Sequence, residues 1–200
     1  MALENLVNNG VSIHLTVIGG FKSGGYLLKG ECPDPVYWEN KIKNTGWVTH
    51  YDALPNKDVI AKLMHCDLFL FPSYDESLGW AVIEAGLLGV PSITTNIYAL
   101  PELVKHNVSG YVINLNLGSK NRWQGVWESG PQLKLELETA NKAIYEGTKD
   151  AIIKIFLSPE LLTSWGGAAK ESLTAMYGID VAVEKLSSIY ENALNSRSLL

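Results

Sequence analysis

Short apolar runs alternate with segments of helical spacing along the first 115 residues of the chain. Four of these runs have the length and the β-branched content of strands: 13–18, 67–71, 92–95 and 110–115. Between two of them, the segment from Val59 to Met64 presents one apolar face at helical spacing. The alternation predicts βαβ units with right-handed connections. We therefore expect an α/β, Rossmann-like fold whose parallel sheet has helices on both faces.

The strand pattern ends after Leu115, and the rest of the chain divides into two parts. Residues 116–139 contain glycines and two tryptophans without a period, which predicts an irregular insertion. Residues 140–200 predict a helical tail packed on the sheet, with helices at 149–157, 159–176 and 180–194. We therefore expect one domain over all 200 residues, with its Rossmann-like core at 1–115.

The most informative stretch runs from Phe71 to Pro91, where an apolar strand enters a polar turn and then a helix. Glu76 lies in the turn and Glu84 lies inside the helix, with seven residues between them. In open α/β sheets, ligands bind outside the carboxyl ends of the strands, where this turn would lie. A carboxylate can accept two hydrogen bonds from a ribose diol, and free N–H groups from Ser77 to Trp80 would favour an oxygen-rich ligand. The structural alternative is that Glu76 caps the helix and Glu84 pairs with a basic neighbour.

A second candidate lies at Gly19-Gly20, directly after the first β-branched run. A glycine turn at that point would let a backbone approach a phosphate closely, and a plain turn is the alternative. The G-x-G-x-x-G pattern of dinucleotide-binding domains is not present there.

The composition excludes several classes of protein. The chain is 46% hydrophobic and 18% charged, as in an ordinary globular protein, and its net charge of −5 argues against a nucleic-acid partner. Cys32 and Cys66 are too few for a disulfide scaffold or a zinc site, so we expect no metal. No apolar stretch reaches the ~18 residues of a membrane span, and the N-terminal residues lack a secretory pattern. We therefore expect a cytoplasmic protein.

The central stretch carries a motif of spaced glutamates, Pro72-Ser73-x-x-Glu76-x-x-Gly79-x-x-x-x-Glu84-Ala85 followed by Gly89-x-Pro91. This motif resembles that of the retaining, nucleotide-sugar-dependent glycosyltransferases of the family-4 type, which have the GT-B fold. Shorter matches follow in the family's order at Ile18-Gly19, Gly46-Trp47-Val48, Cys66-Asp67, Leu100-Pro101-Glu102, Ser109-Gly110-Tyr111-Val112 and in the tail from Ser158 to Tyr190. The resemblance covers most of the chain outside 22–45 and 117–139.

The resemblance implies a role for each matching residue. Glu84 would hold the ribose hydroxyls of the nucleotide, and Glu76 would be the catalytic carboxylate at the donor sugar, near the reacting carbon. The backbone amides of four loop residues would meet the sugar and phosphate: Ser77, Leu78, Gly79 and Trp80. Gly19 and Gly20 would form a turn under the nucleotide. Four residues would lie against its base: Val48, Thr49, His50 and Tyr51.

By the same resemblance, the chain would be the C-terminal, donor-binding domain of a retaining glycosyltransferase. The enzyme would transfer a hexosyl group from a UDP-, GDP- or ADP-linked sugar to a glycan, lipid or small-molecule acceptor. It would need no cofactor besides this nucleotide-sugar substrate. The N-terminal acceptor domain and the first strand of this domain would lie upstream of Met1, and the fragment would be inactive alone. A cytoplasmic place at the inner face of the membrane would suit a lipid-linked acceptor.

Two departures from the family pattern concern the donor. Tyr98-Ala99 stands where the family often has two glycines, which would reshape the donor-sugar end. The family's Arg and Lys for the donor diphosphate match positions upstream of Met1. Lys22 is the nearest basic candidate, and a solvated surface lysine is the alternative for it.

Two rival functions fit the same fold: a non-catalytic α/β nucleotide- or ligand-binding module, and a GT-B phosphorylase or epimerase domain. The stretch from Trp123 to Trp127 also has two interpretations. It would form an acceptor-side loop or a peripheral contact with a membrane, or its tryptophans would pack the insertion onto the helical tail.

Overall fold

A computed structural model of the protein describes residues 2–21 and 34–197. The strands are β1 (Leu15–Ile18), β2 (Val48–Tyr51), β3 (Phe69–Phe71), β4 (Ser92–Thr95) and β5 (Gly110–Ile113). The helices are α1 (Ala2–Asn8), α2 (Pro35–Lys43), α3 (Asn56–Leu63), α4 (Trp80–Leu87), α5 (Leu100–Leu103), α6 (Gly130–Leu157), α7 (Glu160–Tyr177) and α8 (Ile179–Arg197). The predictions made for Lys22 and Cys32 lie outside the described residues.

The described strands form two parallel sheets. In one, β1 pairs with β2, and Leu15 lies opposite Val48. In the other, β4 lies between β3 and β5, with Ser92 opposite both Phe69 and Gly110. The predicted α/β class with parallel strands is therefore confirmed. One sheet was predicted, but the described strands form two, with two and three strands. One edge of β1 and one edge of β3 have no strand neighbour among the described residues.

The three-stranded sheet is covered on both faces, as predicted. Side chains alternate between the faces of a strand, and all four residues of β4 are buried. The main core packs α4, α5, α6 and α7 around this sheet, and its fully buried members include Ile93, Leu100 and Leu133. β3, predicted to be buried on both faces, is only half-buried because it is an edge strand.

The irregular insertion is shorter than predicted. α6 begins at Gly130 and continues for 28 residues, so the irregular segment ends at residue 129 and not at 139. A proline near the start of the helix suits its first turn, and Leu133, Leu137 and Ala140 then repeat at helical spacing and are buried. The short Leu-Lys-Leu-Glu-Leu alternation had concealed this period.

The helical tail packs on the sheet in part. α7 contacts α4, α5 and β5, as expected of a tail that covers the core. α8 instead exposes a set of large apolar side chains: Ile179, Val183, Leu186, Ile189, Tyr190 and Leu194. The prediction that the whole tail packs on the domain is therefore wrong for α8. No described helix has the length and apolar character that crossing a bilayer requires.

Candidate functional site

The loop between β3 and α4 is closed by the carboxylate of Glu76. Its Oε1 accepts hydrogen bonds from the backbone N–H of Ser77 at 2.9 Å and of Leu78 at 3.4 Å. Glu76 thus caps its own loop, one turn before the helix begins, whereas the structural alternative placed it at the helix terminus. Ser77 is exposed and Glu76 half-buried, so this carboxylate lies at the surface of the sheet's carboxyl edge.

α4 begins directly after this loop because Gly79 permits a sharp turn. Gly79 is buried and has a φ of 86°, in the left-handed region that favours glycine. A Cβ at this position would also lie 2.7 Å from Cδ2 of Leu100, so the turn packs tightly on α5. No side chain caps α4 among the described residues, which leaves its first N–H groups at the same edge as Glu76.

Glu84, on the second turn of α4, has a polar partner from another element. Nδ2 of Asn56 donates to its Oε1 at 3.3 Å, and its Oε2 accepts no hydrogen bond from the described residues. Asn56 is the first residue of α3, and its side chain reaches Glu84 on the neighbouring helix. The alternative in which a basic neighbour pairs with Glu84 is not found within the described part of the chain. Through Asn56, Glu84 lies close to the segment that follows β2.

The other predicted residues are the glycine turn that follows β1 and the four residues of β2. Gly19 turns at a φ of 135° after β1, and its carbonyl oxygen is 2.9 Å from Nε2 of His50. The backbone N–H of Gly19 donates to the carbonyl of Tyr51 at 2.9 Å. Gly20 follows in the same exposed turn. These two bonds hold the glycine turn against the end of β2.

The side chains of β2 are engaged within the protein. Oγ1 of Thr49 lies 3.1 Å from Nε2 of His14. Nζ of Lys62 donates to the hydroxyl of Tyr51 at 3.1 Å and lies 4.3 Å from the centre of its ring. Val48, the first residue of the strand, is half-buried. Lys62 was not predicted as a site residue, since its helical spacing marked it only as a polar position on α3.

The structure thus brings the predicted residues to two neighbouring places. Glu76 and the loop amides lie at the end of β3, and Trp80, which opens α4, is 67% exposed beside them. Gly19, Gly20 and β2 lie at the end of the smaller sheet. Glu84 lies on the helix that starts at the first place, and its partner Asn56 follows β2 in the chain. The loop of Glu76, the glycine turn and the end of β2 lie at the carboxyl ends of parallel strands, where α/β proteins bind their ligands. Glu84 lies inside α4, and Val48 is at the amino end of β2.

A cluster that the sequence analysis did not single out lies beside Glu76. Nη2 of Arg122 is 3.3 Å from Oδ1 of Asp75, and the guanidinium lies over the rings of Tyr98 and Trp127. The aspartate precedes Glu76 directly, but the arginine lies in the irregular segment more than forty residues away. No local sequence pattern joins them. Their meeting follows from the parallel sheet, which brings the loops after β3, β4 and β5 to one edge.

The two tryptophans of the irregular segment behave differently. Trp123 is fully buried, and its ring lies 5.0 Å from that of Tyr74. Trp127 is 51% exposed. Packing is therefore confirmed for Trp123, although its partner is the loop before Glu76 as well as the helical core. An acceptor-side or membrane role for Trp127 stays a prediction.

Tyr74 is the site's most strongly perturbed titratable group among those described. Burial raises the pKa of its phenol to about 12, because the phenolate would lose its hydration. The hydroxyl donates to Oδ1 of Asn141 on α6 at 2.6 Å. The loop that leads to Glu76 is thereby attached to α6.

Known proteins resemble this chain in sequence. Residues 1–120 match the family described as glycosyl transferases group 1. The chain is 25% identical over 169 residues to N-acetyl-alpha-D-glucosaminyl L-malate synthase of Bacillus anthracis; the match covers 84% of this chain and 37% of that protein. The chain thus corresponds to much less than the full length of that relative.

Solved structures show the same fold at low sequence identity. HepE of Anabaena, in complex with UDP and glucose, superposes with a TM-score of 0.57 at 12% identity, over 95% of this chain and 51% of that one. The C-terminal domain of a glycosyl transferase group 1 protein from Francisella tularensis (LpcC) superposes with a TM-score of 0.54 at 11% identity. That match covers 90% of this chain and 94% of that domain. The fold is therefore that of the C-terminal domain of GT-B glycosyltransferases.

Proposed function

This chain belongs to the glycosyl transferases group 1 family, and we propose that it is the donor-binding domain of a retaining, nucleotide-sugar-dependent glycosyltransferase. The observation that carries the proposal is the placement of Glu76 and Glu84 on either side of the start of α4, at the carboxyl edge of the sheet. UDP and glucose in the complex of the similar Anabaena protein support a nucleotide-sugar as the ligand class.

Glu84 is suited to the ribose of the nucleotide. Asn56 already orients Oε1, so Oε2 faces no competing donor among the described residues and can accept from a diol. Asn56 follows β2 in the chain, so in this proposal the base would lie beyond the ribose, towards the smaller sheet. A base of the UDP, GDP or ADP class would then rest near His50 and Tyr51.

Glu76 and the first N–H groups of α4 are suited to the other end of the donor. The helix N-terminus favours the negative charge that develops on the departing diphosphate. One oxygen of Glu76 is held by the amides of Ser77 and Leu78, and the other can orient a sugar hydroxyl near the reacting carbon. A bound donor that uses these two amides would have to displace Glu76 Oε1. In this scheme a hexosyl group passes to the acceptor with retention, through an oxocarbenium-like transition state.

The open edges of the two sheets suggest where a further strand belongs. In the doubly wound order 3-2-1-4-5-6, strand 1 lies between strands 2 and 4. If β1 and β2 occupy positions 2 and 3, and β3, β4 and β5 occupy positions 4 to 6, the empty position lies between β1 and β3. α1 precedes β1 as a crossover helix would. We propose that a strand upstream of Met1 fills this position.

A partner domain is the second missing part in this proposal. The chain covers 51% of the Anabaena structure, which leaves room for an acceptor domain in a full-length enzyme. The apolar side chains that α8 exposes, from Ile179 to Leu194, offer a surface that such a domain would bury. We expect the isolated chain to bind donor weakly and to transfer no sugar.

The test is saturation-transfer NMR of the 200-residue chain with UDP-, GDP- and ADP-sugars. We expect a signal from one nucleotide class that is lost in Glu84→Ala, because the ribose loses its carboxylate. Glu160→Ala, on the exposed first turn of α7, is the matched control and should keep the signal. A signal that survives in Glu84→Ala would contradict the site, and silence across the panel in a chain with the upstream strand restored would contradict the function.

A further inference from the structure

The irregular segment after β5 lies against the loop that carries Glu76. The loops after β3, β4 and β5 start from neighbouring carboxyl ends, since these strands are parallel and adjacent. The backbone N–H of Tyr98, after β4, donates to the carbonyl of Asn121 at 2.8 Å. The irregular segment is therefore fixed to the middle loop of the same edge.

Arg122 connects this segment to the loop after β3. Its Nη2 lies 3.3 Å from Oδ1 and 3.5 Å from Oδ2 of Asp75. The two side chains are 20% and 17% exposed, so water screens the pair only in part. When one partner of such a pair is removed, the other is left as a partly buried charge without its counter-ion, which is costly.

Two aromatic rings shield the ion pair. The guanidinium carbon of Arg122 lies 5.4 Å from the ring centre of Tyr98 and 5.5 Å from that of Trp127, both within the range of a cation–π contact. Tyr98 holds this position at a φ of 44°, an uncommon backbone conformation for tyrosine. Tyr98, at a position where the family often has glycine, thus supplies one of the two rings that contact Arg122.

The loop is fixed at the residues that precede the glutamate. Tyr74 packs on Trp123 and bonds to Asn141, and the carbonyl of Asp75 accepts from Oγ of Ser73 at 2.7 Å. From Glu76 to Leu78, by contrast, the hydrogen bonds of the loop backbone within the described chain are those to the carboxylate of Glu76 itself. The anchor nearest to Glu76 in the sequence is therefore Asp75.

We propose that Arg122 is a positioning residue, which acts through Asp75 to fix the orientation of the Glu76 loop. This inference rests on the proposed function, because the loop that Arg122 fixes is the one that we propose for the donor sugar. Its positive charge is compensated by Asp75, so Arg122 acts on the loop and is not itself a ligand of the donor diphosphate.

The first test measures loop order without any ligand. NMR order parameters of the amides of residues 76–78 are compared in the wild-type chain, Arg122→Met and Asp75→Asn. We expect values near the rigid limit of about 0.85 in the wild type and a fall to about 0.6 or below in both variants. Asp75→Asn keeps the side-chain size, so it removes the charge pair without a cavity. Unchanged order parameters in the two variants would overturn the proposal.

Two further variants sharpen this test. Lys120→Met removes a positive charge from the same segment, at an exposed residue, and should leave the order parameters of residues 76–78 unchanged. Arg122→Lys keeps the charge and should restore part of the order lost in Arg122→Met. Equal disorder in Lys120→Met would mean that net charge, and not the pair with Asp75, fixes the loop, which contradicts the proposal.

The second test uses UDP-glucose as the probe and separates a positioning role from direct binding. A positioning role predicts that Arg122→Met and Asp75→Asn weaken binding by a similar factor, on the order of tenfold, and that the double variant is no worse. If Arg122→Met alone weakened binding while Asp75→Asn left it intact, Arg122 would be a direct ligand, and the proposal would be wrong. If no sugar nucleotide bound even with the upstream strand restored, the proposed function would fail, and the order parameters would still decide the role of Arg122.

Discussion

β4 and β1 are both four-residue parallel strands, but they differ in what covers them. All four residues of β4 are buried beneath α4, α5 and α6. In β1, three residues are half-buried and Ile18 is exposed. The buried members of the main core all lie between Val82 and Leu173, which leaves the sheet of β1 and β2 outside it. The molecule therefore has a packed half, built around β3, β4 and β5, and a thin half, the sheet of β1 and β2.

This difference matters because the candidate site uses both halves. The carboxylates Glu76 and Glu84 belong to the packed half, where the core determines their backbone positions. The glycine turn at Gly19 and the end of β2 belong to the thin half, whose β1 edge has no strand neighbour in the described chain. The ends of the site that we propose for the sugar and the ribose should therefore be better preorganised than the end proposed for the base.

The largest expected effect comes from the same substitution made in each half. Leu100→Ala removes a fully buried side chain that packs on Gly79, and we expect it to lower the free energy of unfolding by about 3 to 5 kcal/mol. Leu15→Ala, in half-buried β1, should cost about 1 kcal/mol, because less apolar area is lost and the site is open enough to leave no cavity. Urea denaturation followed by circular dichroism measures both values.

Equal losses in these two variants would contradict the comparison, since they would mean that the two halves are packed alike. A chain in which the upstream strand is restored sharpens the test. There the cost of Leu15→Ala should rise, because β1 would then lie inside a sheet.

A smaller effect is expected at the contact between α4 and α7, which holds the packed half together. A Cβ at Gly166 would lie 2.1 Å from the backbone carbonyl oxygen of Gly89, so Gly166→Ala forces the two helices apart. We expect a loss of about 2 kcal/mol in the free energy of unfolding.

Gly167→Ala is its matched control. No atom of the described residues outside this helix lies within 4 Å of a Cβ at this neighbouring position, and alanine is a better helix former than glycine. The control should therefore raise stability by about 0.5 to 1 kcal/mol, as measured in the same denaturation experiment. A loss of stability in both variants would show that the close contact with Gly89 is not the cause.

Local patterns explain how much of the fold was predictable. The apolar runs and their turn residues predicted four of the described strands, β1, β3, β4 and β5, and the glutamate motif predicted the loop and helix at the end of β3. These features are local, because a run or a spacing is determined by neighbouring residues. The start of α6 at Gly130 was missed because its first apolar residues, Leu133 to Leu137, also alternate with polar residues as in a strand. The helical repeat becomes visible only over a longer stretch of the helix.

The features that were not predicted depend on contacts between distant residues. The partner of Glu84 is Asn56, 28 residues away, and the partner of Arg122 is Asp75, 47 residues away. Neither pair leaves a periodic signal in one sequence. The exposure of the apolar side chains on α8 was also missed, since an amphipathic pattern does not show what covers it.

The smallest effect is expected at Tyr74, in the loop that leads to Glu76. Its phenol tests whether the tight packing of the packed half extends as far as this loop. Its pKa is raised to about 12 by burial, whereas a tyrosine in the unfolded chain titrates near 10. The neutral phenol therefore stabilises the folded state fully below about pH 10, and this contribution is lost as the pH rises through about 12. Between pH 9 and pH 11 the free energy of unfolding should fall by about 1 kcal/mol more in the wild type than in Tyr74→Phe.

Tyr74→Phe should start from a lower stability at pH 8, because the bond to Asn141 is lost. Parallel pH profiles for the two proteins would mean that the phenol is hydrated, and that the packed half ends before the loop that carries Glu76.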